Sequence, residues 1–218
     1  MSEDESTDWV GEIKRIALVM GTFVALIWGI EIVDQLLFGG GLDRFGILPR
    51  RVDGLSGILV APLLHGGWSH LTANTSSLLL FGGIVLVRSR GEFALVTAMG
   101  WLLGGLGVWL FGSLFTLRNA VHIGASGVIF AYFGYLLTIG LFERRFLSVL
   151  LSVAIAVTYG GVLFGVLPGQ EGISWEAHLF GFLAGVAAAR LVARRKKKRE
   201  AEAKADPLGP LRTSDRRP

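Results

Sequence analysis

A chain of 218 residues that is 52% hydrophobic and only 17% charged, with a mean hydropathy of +0.58, is too apolar for an ordinary soluble domain, where about a quarter of residues are charged. Without a single cysteine it can form no disulfide, no thiolate metal site and no cysteine nucleophile. The net charge of +4 gathers in Arg194-Arg195-Lys196-Lys197-Lys198-Arg199, directly after an apolar run, which reads as a cytoplasmic anchor beside anionic lipid and not as a nucleic-acid patch.

A membrane-spanning helix needs about 20 mostly apolar residues, and the chain has room for six. Residues 1–12 are acidic and expected to form a disordered tail. Lys14 and Arg15 precede the first apolar run, Ile16 to Phe38, which is too long for a signal sequence and lacks a small-x-small cleavage site. It is read as an uncleaved span, with Glu31 and Asp34 at the interface or facing a polar interior. Residues 39–66 form a long connection with Gly39-Gly40-Gly41, Pro49, Arg50, Arg51, Asp53 and Pro62. Its short apolar pieces suit a loop embedded in the interface.

The second run, Trp68 to Val87, stops at Arg88-Ser89-Arg90, and the third covers Phe93 to Phe111. A loop with Arg118 and His122 follows; His122 is given no role beyond that loop. The fourth run, Gly124 to Phe142, ends at Glu143-Arg144-Arg145, and the fifth, Phe146 to Leu167, at Pro168-Gly169. The sixth runs from Glu176 to Ala193. The membrane domain is thus expected over 13–193, followed by a basic, disordered tail over 194–218.

Charge sets the orientation. With a cytoplasmic N-terminus, the inner segments hold Lys14, Arg15, Arg88, Arg90, Arg144, Arg145 and the basic run, and the outer ones only Arg44, Arg50, Arg51 and Arg118. The positive-inside rule then puts both termini in the cytoplasm. The second, fourth and sixth runs cross in the same sense, so His70, Asn74, Ser126 and His178, all near the starts of those runs, share one depth toward the outer face.

Ser126 lies between small residues in Gly124-Ala125-Ser126-Gly127. A serine hydroxyl is a poor nucleophile until a base hydrogen-bonds to it, and His178 is that base by position. His178, Gly181, Gly185 and Ala188 share one helical face. Docked on the stripe Gly127, Ala131, Gly134 and Thr138, that face would bring the imidazole toward the hydroxyl. No aspartate falls in the fourth or sixth run and Glu176 would point elsewhere, so a dyad is expected, its ring oriented by packing. The glycine spacing differs from the soluble hydrolase elbow, which needs glycine two residues after the serine.

Three motifs, His65-x4-His70-x3-Asn74, Gly124-x-Ser126-Gly127 and Ala177-His178-x2-Gly181-x3-Gly185, fall in order on the second, fourth and sixth runs. In them the chain resembles the rhomboid intramembrane serine proteases over about residues 60–190. The resemblance implies an all-α, six-helix rhomboid-like bundle, a plasma-membrane location and a catalytic pair of Ser126 and His178. It implies an oxyanion hole lined by His70, Asn74, Gly124 and the Ser126 amide, with His65, Gly127, Phe130 and Gly181 supporting the site. Two departures stand out: the first loop lacks the Trp-Arg pair of many members, and Phe130 replaces a tyrosine that commonly stacks on the catalytic histidine.

The implied substrates are transmembrane proteins cut near the outer face, with a small residue before the cut and an easily unwound helix. Neither cofactor nor metal is expected; His65 and His70 are five apart and would not chelate as an i, i+4 pair. A silent relative that escorts membrane clients is the alternative, although such proteins typically lose the serine or histidine. A channel would require charges along a path, and runs two to five offer none.

Overall fold

The computed structural model describes residues 3–114, 120–169 and 172–205, with side chains from residue 9 onward. Among the described residues six helices are long and apolar enough to cross a membrane: α1 (Trp9–Phe38), α2 (Trp68–Arg88), α3 (Arg90–Phe111), α4 (Ser126–Glu143), α5 (Phe146–Val166) and α6 (Trp175–Ala205). Among the described residues there is no β-strand, only an isolated antiparallel bridge between Ile47 and His122.

The bundle is built around α4. This helix is apolar on all sides, as a helix enclosed by others must be, and Tyr132, Phe133, Tyr135, Leu136 and Ile139 are wholly buried. By contrast α5 turns Phe146, Leu147 and Val157 outward, each at least 75% exposed. It holds to α4 through Ser152, whose hydroxyl donates to the Leu136 carbonyl (2.7 Å) and accepts from the Gly140 amide (2.9 Å). At its far end α5 tightens into a 3-10 turn over Gly160–Val166.

The small-residue stripes of α4 and α6 meet as their spacing suggests. A Cβ on Gly181 would lie 2.0 Å from the Gly127 carbonyl oxygen, and one on Gly185 2.0 Å from that of Ala131. The two backbones therefore touch, which only glycine permits at these positions.

A charged network ties one end of the bundle. Glu92 of α3 takes hydrogen bonds from Arg88 Nε (2.7 Å) and Tyr135 Oη (2.5 Å) and pairs with Lys196 Nζ (2.5 Å). Glu143 pairs with the same lysine (2.7 Å), with Arg88 and with the Ser148 hydroxyl. Five helices converge there, and Arg90 to Glu12 (2.8 Å) brings α1 to the same end. Glu12 of α1 and Lys196 of α6 thus lie at one end of the bundle. The Glu92 and Glu143 side chains are buried charges at helix ends, which hydropathy windows pass over. Arg118, counted in the charge argument, lies outside the described residues.

Two boundaries differ from the sequence reading. The last helix continues past residue 193 to Ala205, because the segment expected to be disordered is made of Arg, Lys, Glu and Ala, all strong helix formers. Lys198 and Glu202 add an i, i+4 pair. The first helix likewise begins at Glu3, inside the expected tail; residues 206–218 lie outside the described residues. Glu31 and Asp34 take the interior option: both are buried and fasten the first loop. Glu31 Oε1 accepts from the Gly67 amide (3.1 Å) and Asp34 Oδ1 from that of Leu42 (2.9 Å). The loop itself winds through short helical turns and docks on α3, where Trp109 Nε1 donates to the Arg51 carbonyl (2.8 Å).

Candidate active site

Ser126 is the first residue of α4. The chain arrives there through Gly124, whose φ of +108° is open to glycine and strained for other residues. The Gly124 amide donates to the Ala61 carbonyl at 2.8 Å, pinning the approach to the end of the first loop. His178 sits in the first turn of α6, held by amide bonds from His178 to the Ser174 carbonyl (3.2 Å) and from Ala177 to the Ser174 hydroxyl (3.3 Å).

The heads of these helices are in contact. A Cβ on Gly127, next to the serine, would lie 3.3 Å from the Ala177 carbonyl oxygen, next to the histidine. Phe130 is one turn along α4 from Ser126, on the same face. The His178 ring lies flat on it, with centroids 4.0 Å apart and planes at 9°. The imidazole is thereby carried on the stripe of α4 that Ser126 heads. Phe130 keeps the stacking surface that a tyrosine would supply.

A third group orients the ring. His178 Nδ1 is 2.9 Å from the Gly165 carbonyl oxygen. A carbonyl only accepts, so Nδ1 carries the proton and Nε2 keeps its lone pair. That is the tautomer a general base needs. The sequence reading expected packing alone to orient the ring; packing is there, joined by a backbone acceptor. Glu176 points away, its Oε1 accepting from the Ser113 amide at 3.0 Å.

On the other side of Ser126, a Cβ on Gly124 would lie 2.7 Å from His70 Nε2 and 3.3 Å from Asn74 Nδ2. His70 Nδ1 accepts from the Gly66 amide at 3.3 Å, which leaves Nε2 as the protonated donor. The Asn74 amide nitrogen is buried and has no acceptor among the described residues. Two N–H groups from one face of α2 therefore converge beside the loop that leads into the serine. His65 is fully buried and meets His70 edge-on at 5.2 Å. Burial, and next the His70 ring, push His65 down to about 4, so it is neutral at pH 7.

Sequence reasoning missed the Gly165 carbonyl and the setting of His122. His122 is buried, with Nε2 against Ser113 Oγ at 3.1 Å and Nδ1 against Ser174 Oγ at 2.6 Å. Burial lowers its tendency to protonate, while Glu176 pulls the other way. Its place four residues before Ser126 was the one available signal.

Comparison with known proteins places the chain in a family. Residues 53–195 match the Rhomboid domain. The chain is 44% identical over 197 residues to Rv1337 of Mycobacterium tuberculosis, an uncharacterized protein, covering 86% of this chain and 82% of that one. It is 32% identical over 144 residues to YdcA of Bacillus subtilis, covering 65% and 69%. It is also 31% identical over 154 residues to RHOMBOID-like protein 4 of Arabidopsis thaliana, covering 67% of this chain and 36% of the plant protein.

Proposed function

The chain belongs to the rhomboid family, and from that premise we propose that it is an active intramembrane serine endopeptidase cutting transmembrane proteins near the outer membrane face. It is a multi-pass integral membrane protein. The observation that carries the proposal is the His178 ring, stacked on Phe130 one turn from Ser126, with Nδ1 donated to Gly165 and Nε2 left free to take a proton.

In this reading Ser126 Oγ attacks the scissile carbonyl carbon while His178 Nε2 accepts the hydroxyl proton. The tetrahedral oxyanion accepts from His70 Nε2–H, Asn74 Nδ2–H and the Ser126 amide, each such donor being worth roughly 3 kcal/mol in known proteases. The imidazolium, steadied by the Gly165 carbonyl, then protonates the leaving amine as the C–N bond breaks. Water, deprotonated by His178, attacks the acyl-enzyme and releases the second product with Ser126 restored. The scissile bond must first leave its helix, because intrahelical hydrogen bonds shield it, so substrates with weak helices and a small residue before the cut are favoured.

The test compares wild type with Ser126→Ala and His178→Ala in cleaving a labelled transmembrane substrate, and follows fluorophosphonate labelling of Ser126. Cleavage and labelling that need both residues support the protease. Binding of the substrate without cleavage by the wild type would instead favour a client-escorting protein.

A further inference from the structure

His122 takes no part in the reaction written above, yet three other segments meet on it. Its backbone exchanges two hydrogen bonds with Ile47 of the first loop, at 2.9 and 3.0 Å. Its ring joins Ser113, just beyond α3, to Ser174, just before α6. Ser113 adopts φ +55°, a conformation a serine keeps only where its surroundings impose it. Here the Glu176 carboxylate, which takes the Ser113 amide, and the His122 ring do so.

The placement of the short bond is informative. His122 precedes Ser126 by four residues and Ser174 precedes His178 by four. The glycine contacts of Gly181 with Gly127 and of Gly185 with Ala131 fix how closely α4 and α6 approach. A small-residue surface is nearly smooth, however, and resists sliding along the helix axes only weakly. A directional hydrogen bond between the two approaches supplies that missing constraint, and at 2.6 Å between ring nitrogen and hydroxyl it is short and buried on the histidine side.

We propose that His122 is a positioning residue whose bond to Ser174 holds the heads of α4 and α6 in the axial register that keeps Ser126 and His178 within proton-transfer reach. The proposal rests on the protease reading above. It goes beyond that reading in assigning the alignment of the pair to a loop contact outside the helices that carry them.

Asparagine and glutamine at position 122 separate this role from simple filling of space. The asparagine amide occupies the place of Nδ1 and can keep the Ser174 bond; that of glutamine reaches the place of Nε2 and keeps Ser113 instead. Glutamine is also the larger side chain, so a packing role predicts that it is the better tolerated. The proposal predicts the reverse: His122→Gln lowers kcat by about 10- to 100-fold with little change in KM, the scale of a roughly 1 Å misplacement, while His122→Asn loses several-fold less. Ser174→Ala, at a half-buried loop position, removes the same bond together with the one from the Ala177 amide, so it should lower kcat at least as much, and the double variant His122→Gln/Ser174→Ala should be no slower than Ser174→Ala alone.

Equal losses in the Asn and Gln variants, a smaller loss in Gln, or additive losses in the double variant would overturn it. Hydrogen exchange over residues 172–180 of the full protein in detergent decides the matter without reference to activity. Faster exchange in the Gln variant than in the Asn variant upholds the brace even if the wild type proves to cleave nothing; indistinguishable exchange ends it.

Discussion

His178 Nδ1 and the carbonyl of Gly165 lie 2.9 Å apart, so the imidazole in α6 is oriented by backbone from α5, a helix that turns much of its apolar surface outward. A carbonyl cannot take up a proton as a carboxylate can, but it fixes the tautomer and would face the positive charge that the proposed mechanism puts on the ring. Neutral imidazole in water favours the other tautomer. Nitrogen-15 spectra of histidine-labelled protein should therefore show His178 protonated at Nδ1 in the resting state.

Gly165→Ala tests the same contact from the other side. A Cβ there would lie 2.8 Å from Phe130 Cζ and 3.3 Å from His178 Nδ1. The ring stack must shift, and a displacement near 1 Å costs on the order of 10²-fold in rate. Substrate turnover and fluorophosphonate labelling should fall together by that factor, with the midpoint of thermal unfolding changed little.

Removing the donors on α2 should act on the chemical step. Asn74→Ala and His70→Ala are each expected to lower kcat by about 10²-fold, with KM less affected. The two losses in the double variant should fall short of their product, because in the proposed mechanism the groups serve one oxyanion. Steady-state kinetics on a transmembrane substrate would measure this; an effect confined to KM would remove both residues from the oxyanion hole.

The charged end of the bundle governs stability. Lys196→Met leaves Glu92 and Glu143, both buried, facing each other with only Arg88 between them. Breaking a buried ion pair on one side costs about 3 kcal/mol, less here because the lysine is partly exposed. A lowered unfolding midpoint in detergent, with the cleavage chemistry intact in the folded fraction, is the expected outcome.

The first loop carries a pH dependence. Burial first, then Asp34 and Glu31, raise Asp43 from 3.8 to about 6. A carboxyl whose folded-state value is raised favours the fold most when protonated, and that contribution is lost as the pH climbs from about 4 through 6. Asp43→Asn should therefore be more stable than wild type at pH 7.5, with the difference closing toward pH 4. Thermal unfolding across that range provides the measurement.

Much of the site was legible because polar residues inside apolar runs are costly and hence countable. Ser126 and His178 stand near the heads of the fourth and sixth runs, and His70 and Asn74 near that of the second. The Gly165 acceptor left no trace, since every residue has a carbonyl and only the 3-10 turn aims this one. Ser113 and Ser174 are ordinary loop residues until a buried histidine lies between them. The length of α6 was misjudged because hydropathy ends where solvation begins, whereas helix propensity continues through charged residues.

That length has a mechanical side. Eighteen residues separate His178 from Lys196 on a single unbroken helix, about 27 Å at 1.5 Å per residue. A helix is stiff in torsion, so its two ends cannot swivel independently. The azimuth of the imidazole at one membrane surface is consequently locked to the ammonium at the opposite one, like the bit of a key to its bow.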